Sequence, residues 1–282
     1  DRPAETRPPP ERPAIVRPLS PPGRERFPRS LMFTKFLIGF AAGIFGGLLG
    51  LGGGVVMVPL LVGMARMGQH QAHGTSLVAL VFTGMMGAFT YALHGSLDLW
   101  AALFLAGGAL WPARLGAKCC TALPERKLKR AFGIFLVFIS VLVLSKPYFP
   151  AVFHPEGELL KSLLLLATGA ATGFCSGLMG VGGGPIMIAG MVLLTGFDQY
   201  TAQGSALLAM IPAGAVGAFT HWQLGNVNRH VLPGLIPGIL IGTFAGGSCA
   251  HYLPEATLKV IFAAILIWTG LRTIRMAAPS GD

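Results

Sequence analysis

Apolar residues run almost without interruption from Leu31 to Ile274, and a few polar or glycine-rich breaks divide that run into blocks. Block length separates full crossings of a bilayer from half-crossings. Phe33 to Leu49 is long enough to cross, whereas Val55 to Ala65 is nearer half a span. The two together read as a re-entrant hairpin or a broken pair. The connector Arg66 to His73 is polar, and a helix is expected from Gly74 to Leu93, with Gly74-Thr75-Ser76 at its start. Leu97 to Cys119 and a span ending at Leu144 complete a first set. A second set covers Leu159 to Met179, Pro185 to Leu194, Gly204 to Trp222, Val231 to Cys249 and Thr257 to Ile274. The pattern predicts an all-α, polytopic transmembrane helical bundle of about 5+5 segments.

The two sets are copies in one register. Gly47-Leu-Leu-Gly-Leu-Gly-Gly-Gly54 returns 130 positions later as Gly177-Leu-Met-Gly-Val-Gly-Gly-Gly184. Ala88-Phe-Thr90 returns as Ala218-Phe-Thr220, and Leu123-Pro-Glu125 as Leu253-Pro-Glu255. No gap is needed across roughly 100 residues, which marks a duplication. The chain therefore divides into an arm (1–30), a first repeat (31–145), a hinge (146–158), a second repeat (159–275) and a tail (276–282). The arm is rich in Pro and Arg and is expected to be disordered. An odd number of segments per repeat would turn the second copy upside down, giving two inverted repeats; four per repeat would give parallel ones.

Three consecutive glycines cost a helix about 1 kcal/mol each relative to alanine, so unwinding is expected at Gly52, Gly53 and Gly54 and at Gly182, Gly183 and Gly184. Irregular backbone at membrane depth persists only where protein buries it or where it lines a polar cavity. Helices restarting at Val55 and Pro185 would present N-terminal N–H groups and positive dipole ends, a cradle for an anion. Pro185 suits a first helical turn. The competing reading is close packing. It suits the ladders Gly39, Gly43, Gly47 and Gly169, Gly173, Gly177 better than the triplets.

Composition narrows the class. With 53% hydrophobic and 11% charged residues and a mean hydropathy of +0.66, the 282-residue chain is an integral membrane protein rather than a soluble domain. The net charge of +10 sits in short runs beside apolar spans, which suits topology signals better than nucleic-acid binding. With both termini cytoplasmic, Arg66, the Arg126 to Arg130 cluster, Arg229, Arg272 and Arg275 fall on the cytoplasmic side. His94, Asp98, Glu156, Glu158, Asp198 and Glu255 then fall on the other. A bacterial inner membrane is the favoured location. Cys119, Cys120, Cys175 and Cys249 show neither a C-x-x-C spacing nor a His pattern, so neither a disulfide framework nor a metal site is expected.

A transport site needs exchangeable polar groups near the midplane. The candidates are the N–H groups at the two triplets, with Gly74, Thr75, Ser76, Gln203, Gly204 and Ser205 at adjacent helix starts. Thr90 and Thr220 are weaker, because a membrane threonine usually bonds its own helix. His73 and His221 are the proton-coupling candidates, each with a structural rival: a polar connector for His73, a packing face beside Trp222 for His221. Carboxylates fall only at predicted span ends, which favours an anion over a carboxylate-lined cation path. Enzyme readings fail. No strand precedes the glycines, no Gly-Lys-Ser/Thr follows them, and neither a Gly-x-Ser-x-Gly elbow nor a His-Glu-x-x-His pair occurs.

With these residues in view, the chain resembles the sulfite exporter TauE/SafE family of toluenesulfonate uptake permeases. The resemblance is carried by Gly-x-x-Gly-x-Gly-Gly-Gly in both halves, Val58-Pro59, Gly74-Thr75-Ser76 and Gly204-Ser205, over about Lys35 to Ile274. It implies secondary transport of sulfite, a sulfonate or a similar organic anion, without a cofactor. The expected partners are that small anionic solute and membrane lipids, with homo-oligomerisation left open. The second copy departs from the pattern at Ala189 and Ala206, which stand where the first has Pro59 and Ser76. A non-transporting membrane assembly module and an anion channel remain as alternatives.

Overall fold

The computed structural model describes residues 29–119, 157–179 and 182–276, with isolated helical positions between 130 and 145. The Pro/Arg arm up to residue 28, the basic loop around Leu123 to Lys129, most of the hinge and the C-terminal tail lie outside the described residues. No strand occurs among those described. The helices are α1 (Arg29–Leu49), α2 (Gly54–Gly63), α3 (Gln69–Leu93), α4 (Leu99–Cys119), α5 (Glu158–Met179), α6 (Gly184–Leu194), α7 (Gln199–Gln223), α8 (Leu232–Tyr252) and α9 (Glu255–Met276). All but α2 and α6 are long and apolar enough to cross a membrane. At 10 and 11 residues, α2 and α6 rise about 15 Å, half a hydrocarbon core.

Both interruptions fall at the glycine triplets. Two helix starts differ from expectation: α3 and α7 begin at Gln69 and Gln199, so Gly74-Thr75-Ser76 and Gly204-Ser205 lie more than a turn inside their helices. Polar residues ahead of the glycines resemble a connector in sequence, but they form the first helical turn. For α7 the reason is visible, since Asp198 is the N-cap and its Oδ1 accepts the Thr201 N–H at 3.0 Å.

Helix pairs are set by glycine faces. Gly39, Gly43 and Gly47 of α1 meet the backbone of Leu235, Ile239 and Thr243 of α8, and Gly238, Gly242 and Gly246 of α8 return the contact against Phe36, Phe40 and Ile44. The register climbs together, so α1 and α8 are parallel. Gly169 and Gly173 of α5 meet Leu105 and Ala109 of α4 in the same way, and Gly108 meets Leu166. Between membrane helices van der Waals contact replaces the hydrophobic effect as the attraction, and backbones approach this closely only without a Cβ. The ladders are therefore packing devices. At the centre α3 and α7 pack antiparallel, with Leu77 beside Gly217, Leu80 beside Gly214 and Tyr91 bonded to Gln203.

These pairings define two ends. At the lower end, Lys35 Nζ near the start of α1 donates to the His230 carbonyl at 3.1 Å, and Asn228 of the same loop meets Thr75 near the start of α3. At the upper end, α3 finishes beside the start of α7, and the Gln199 N–H donates to Glu255 Oε1 at the start of α9. A Cβ on Gly43 would stand 2.6 Å from the Ile239 carbonyl oxygen, while Gly63 has nothing within 4 Å. Gly43→Ala should therefore destabilise the protein by about 1–3 kcal/mol, the usual cost of overpacking. Thermal unfolding in detergent checks this, with Gly63→Ala as the near-neutral control; equal midpoints for the two variants would contradict the packing role.

Candidate functional site

At each interruption the backbone turns through the left-handed region. Gly50, Gly52 and Gly53 have φ of 68°, 72° and 73°, and Gly182 and Gly183 have 85° and 69°. An L side chain there costs about 1–2 kcal/mol per residue before any clash. Space is also closed: a Cβ on Gly53 would lie 2.8 Å from the Ala42 carbonyl oxygen, and one on Gly52 would lie 2.9 Å from both Leu80 Cδ1 and Met210 Sδ. The chain thus folds back on α1 and re-enters as α2. Gly183 does the same against Thr172 and Ser176 of α5.

The two breaks meet. Gly52 and Gly182 both pack on Leu80, near the middle of α3, while Gly52 and Gly184 both pack on Met210, near the middle of α7. Gly184 also lies against the Gly50 carbonyl and the Leu51 Cα. Gly53 and Gly183 are the N-caps of α2 and α6, and neither has a side-chain capping bond. Their carbonyls accept the first helical bonds, from Val56 and Met57 and from Ile186 and Met187. The N–H groups of Gly54, Val55 and Gly184 precede those bonds, and Pro185 has none to give. Such termini carry partial positive charge in an apolar surround, which suits a negative solute.

The remaining candidates stand apart from this centre. Thr75 Oγ1 accepts the Asn228 N–H at 3.0 Å, and Gly74 lets the Asn226 carbonyl approach. At the other end Ser205 Oγ accepts the Asp98 N–H at 2.9 Å, and Gly204 admits the Ser96 carbonyl. These four residues form two reciprocal clasps, each gripping a loop of the opposite half. Ser76 Oγ donates to the His73 carbonyl at 2.8 Å. Thr90 and Thr220 donate to their own helix, to Met86 and Val216 carbonyls at 2.8 Å each.

Gln203 links the upper end to the centre. Its stem packs on Gly50, and its amide meets the Tyr91 hydroxyl at 2.7 Å, which also lies 3.0 Å from the Gly47 carbonyl. One phenolic proton cannot fully serve two acceptors. An amide turned to present NH2 to the phenol lets Tyr91 donate to Gly47. With Oε1 toward Tyr91, the Nε2 of this fully buried amide has no partner. The antiparallel register that sets Tyr91 opposite Gln203 sets His221 opposite His73 at the lower end, and both imidazoles are half-buried.

Three groups escaped the sequence reading. Tyr91 is fully buried and ties α1, α3 and α7 together. His94 and His251 stack with centroids 4.0 Å apart, and Tyr91 and Tyr200 flank His251. Lys35 is 7% exposed. A signal for Tyr91 existed, because the shift of 130 positions pairs it with His221 and pairs His73 with Gln203, so equivalent positions carry exchanged polar side chains. The His stack had none, since its members come from unrelated positions. Among the described residues no cluster of three His, Cys, Asp or Glu side chains could hold a metal ion.

Known proteins match this chain in sequence. The family model described as sulfite exporter TauE/SafE matches residues 35–273. The probable membrane transporter protein YunE of Bacillus subtilis is 26% identical over 264 residues, covering 84% of this chain and 95% of its own. Probable membrane transporter proteins of Xylella fastidiosa (Temecula1) and Haemophilus influenzae are 27% and 26% identical, each over 84% of this chain, and cover 91% and 97% of their own lengths. No solved structure matches. The glycine-broken pair of helices repeated in both halves, the apolar spans and a family match over nearly the whole helical region agree: this chain is an integral membrane protein that belongs to the TauE/SafE family.

Proposed function

We propose that this protein is a secondary transporter for a small oxyanion such as sulfite or an organosulfonate, working by alternating access between two inverted repeats. The observation that carries this reading is the meeting of the two glycine breaks at the middle of an apolar bundle, each opening a helix, α2 or α6, whose N-terminus has no side-chain cap. Backbone N–H groups there suit a negative solute without holding it as tightly as a fixed cation would. Release on the far side requires that weakness. The binding groups in this reading are the N–H groups around Gly52 to Gly54 and Gly182 to Gly184, with the unpartnered end of Gln203 near Gly50. Gly74, Thr75, Ser76, Gly204 and Ser205 hold the gates at the two ends.

Inversion is supported by direction: α3 and α7 are counterparts at a shift of 130 positions, yet they run antiparallel. Orientation is supported by charge. Arg66, Arg229, Arg272 and Arg275 gather at the lower end with the start of α1, whereas Asp98, Glu158, Asp198 and Glu255 gather at the upper end. Positive residues mark the cytoplasmic side, so both termini are cytoplasmic in a bacterial inner membrane. His73 and His221 face each other on that side and are the proton-coupling pair in this reading.

Purified protein in liposomes should carry labelled sulfite or methanesulfonate with saturable kinetics. Gly53→Val and Gly183→Val should each abolish flux, because a branched side chain fits neither the positive φ nor the space. Ohmic currents would point to a channel instead, and no flux of either solute would favour an assembly role. A pH gradient should stimulate uptake by the parent protein, and His73→Ala or His221→Ala should lose that stimulation while retaining exchange. Unaltered pH-driven uptake in both variants would remove the pair from coupling.

A further inference from the structure

Copies that began alike have diverged around the two breaks. Facing the N-cap Gly53 of α2, the first copy places Ala42 and Gly46; facing the N-cap Gly183 of α6, the second places Thr172 and Ser176 at the corresponding positions. Thr83 also stands near Gly53, but its hydroxyl donates to the Ala79 carbonyl at 3.2 Å, and its counterpart in the second copy is Ala213. The first break thus has no side-chain hydroxyl to spare, while the second has one.

The hydroxyl of Thr172 differs from those of several described threonines that serve their own backbone. Thr83, Thr90, Thr195, Thr220 and Thr273 all donate to the carbonyl four residues back, which satisfies the hydroxyl in an apolar surround. Thr172 is 1% exposed and its Oγ1 has no hydrogen-bond partner. A buried hydroxyl left unbonded costs about 1–3 kcal/mol, so it is expected to meet a ligand. Its side chain fills the space directly in front of Gly183, where a Cβ would collide with its Cγ2. Thr243 and Thr269 also have unbonded hydroxyls, but they belong to α8 and α9, and neither is among the nearest neighbours of Gly53 or Gly183.

We infer that the break at Gly183 is the principal anion-binding half of the pair, and that Thr172 donates its hydroxyl to the oxyanion seated on the N-terminus of α6. This rests on the transporter reading above and makes it unequal: the Gly53 break shapes the path, and the Gly183 break holds the solute. Ser176, half-buried one turn further on and close to the same N-cap, lies within the same cradle.

The test uses the full-length protein in liposomes with labelled sulfite and methanesulfonate. Thr172→Val keeps the shape and removes the donor, and it should raise the apparent KM for sulfite about tenfold or more, as loss of a hydrogen bond to a charged group does. Thr172→Ser should restore it to within about twofold, and Thr243→Val should leave it unchanged. Sulfite should raise the thermal midpoint of the detergent-solubilised parent and of Thr172→Ser, with a clearly smaller rise for Thr172→Val at the same sulfite concentration. Should the valine variant aggregate, Thr172→Ala gives the same comparison. A parent-like KM and thermal response in both Thr172→Val and Thr172→Ala would overturn this inference while leaving the transporter reading intact. A parent protein that carries neither solute would overturn both.

Discussion

A helix that stops inside an apolar bundle leaves peptide N–H groups that no alkyl neighbour can satisfy, and the arrangement of this protein follows from how it contains that difficulty. Both interruptions are buried at the centre, against each other and against Leu80 and Met210. Left-handed glycines make the turns, so the chain can fold back within a few residues instead of crossing lipid as irregular backbone. The outer helices then close around this centre through backbone contact. Gly39, Gly43 and Gly47 meet α8, while Gly169 and Gly173 meet α4.

Much of this is visible in the amino-acid sequence, because the bilayer imposes a length and an apolarity on each span. The Gly-rich motif, its recurrence 130 positions later and the short spans after it predict the interrupted helices and their pairing as copies. Helix starts are less legible. Gln69 to His73 and Gln199 to Gln203 are polar and look like connectors, yet each begins a helix, in the second case because Asp198 caps it. Partner choice is hidden altogether. That α1 lies on α8 and α5 on α4 depends on complementary ridges of glycine and bulky residues, and a ladder in one helix does not name its mate.

The candidate site was legible in its backbone and obscure in its side chains. Glycines at positive φ announce themselves, since few other residues tolerate that conformation. Hydroxyl groups do not, because Thr and Ser serve their own helix, a neighbouring loop or a ligand with equal chemical ease. Thr90 bonds its own helix, Thr75 bonds Asn228, and Thr172 bonds nothing. Only three-dimensional placement separates these cases. The exchange of Tyr91 and Gln203 at one end for His221 and His73 at the other follows the same logic: equal positions in the two copies carry unequal chemistry.

The reciprocal clasps make the ends of the molecule interdependent. Thr75 holds Asn228 below, and Ser205 holds Asp98 above, each hydroxyl reaching across from one copy to a loop of the other. The two contacts sit at opposite ends of the antiparallel pair α3 and α7, so one helix of each copy is fastened near its own start to a loop of the other copy. Between the two clasps lies the centre, where Leu80 and Met210 rest on the glycine turns, so each end is fastened independently of the packing at the middle.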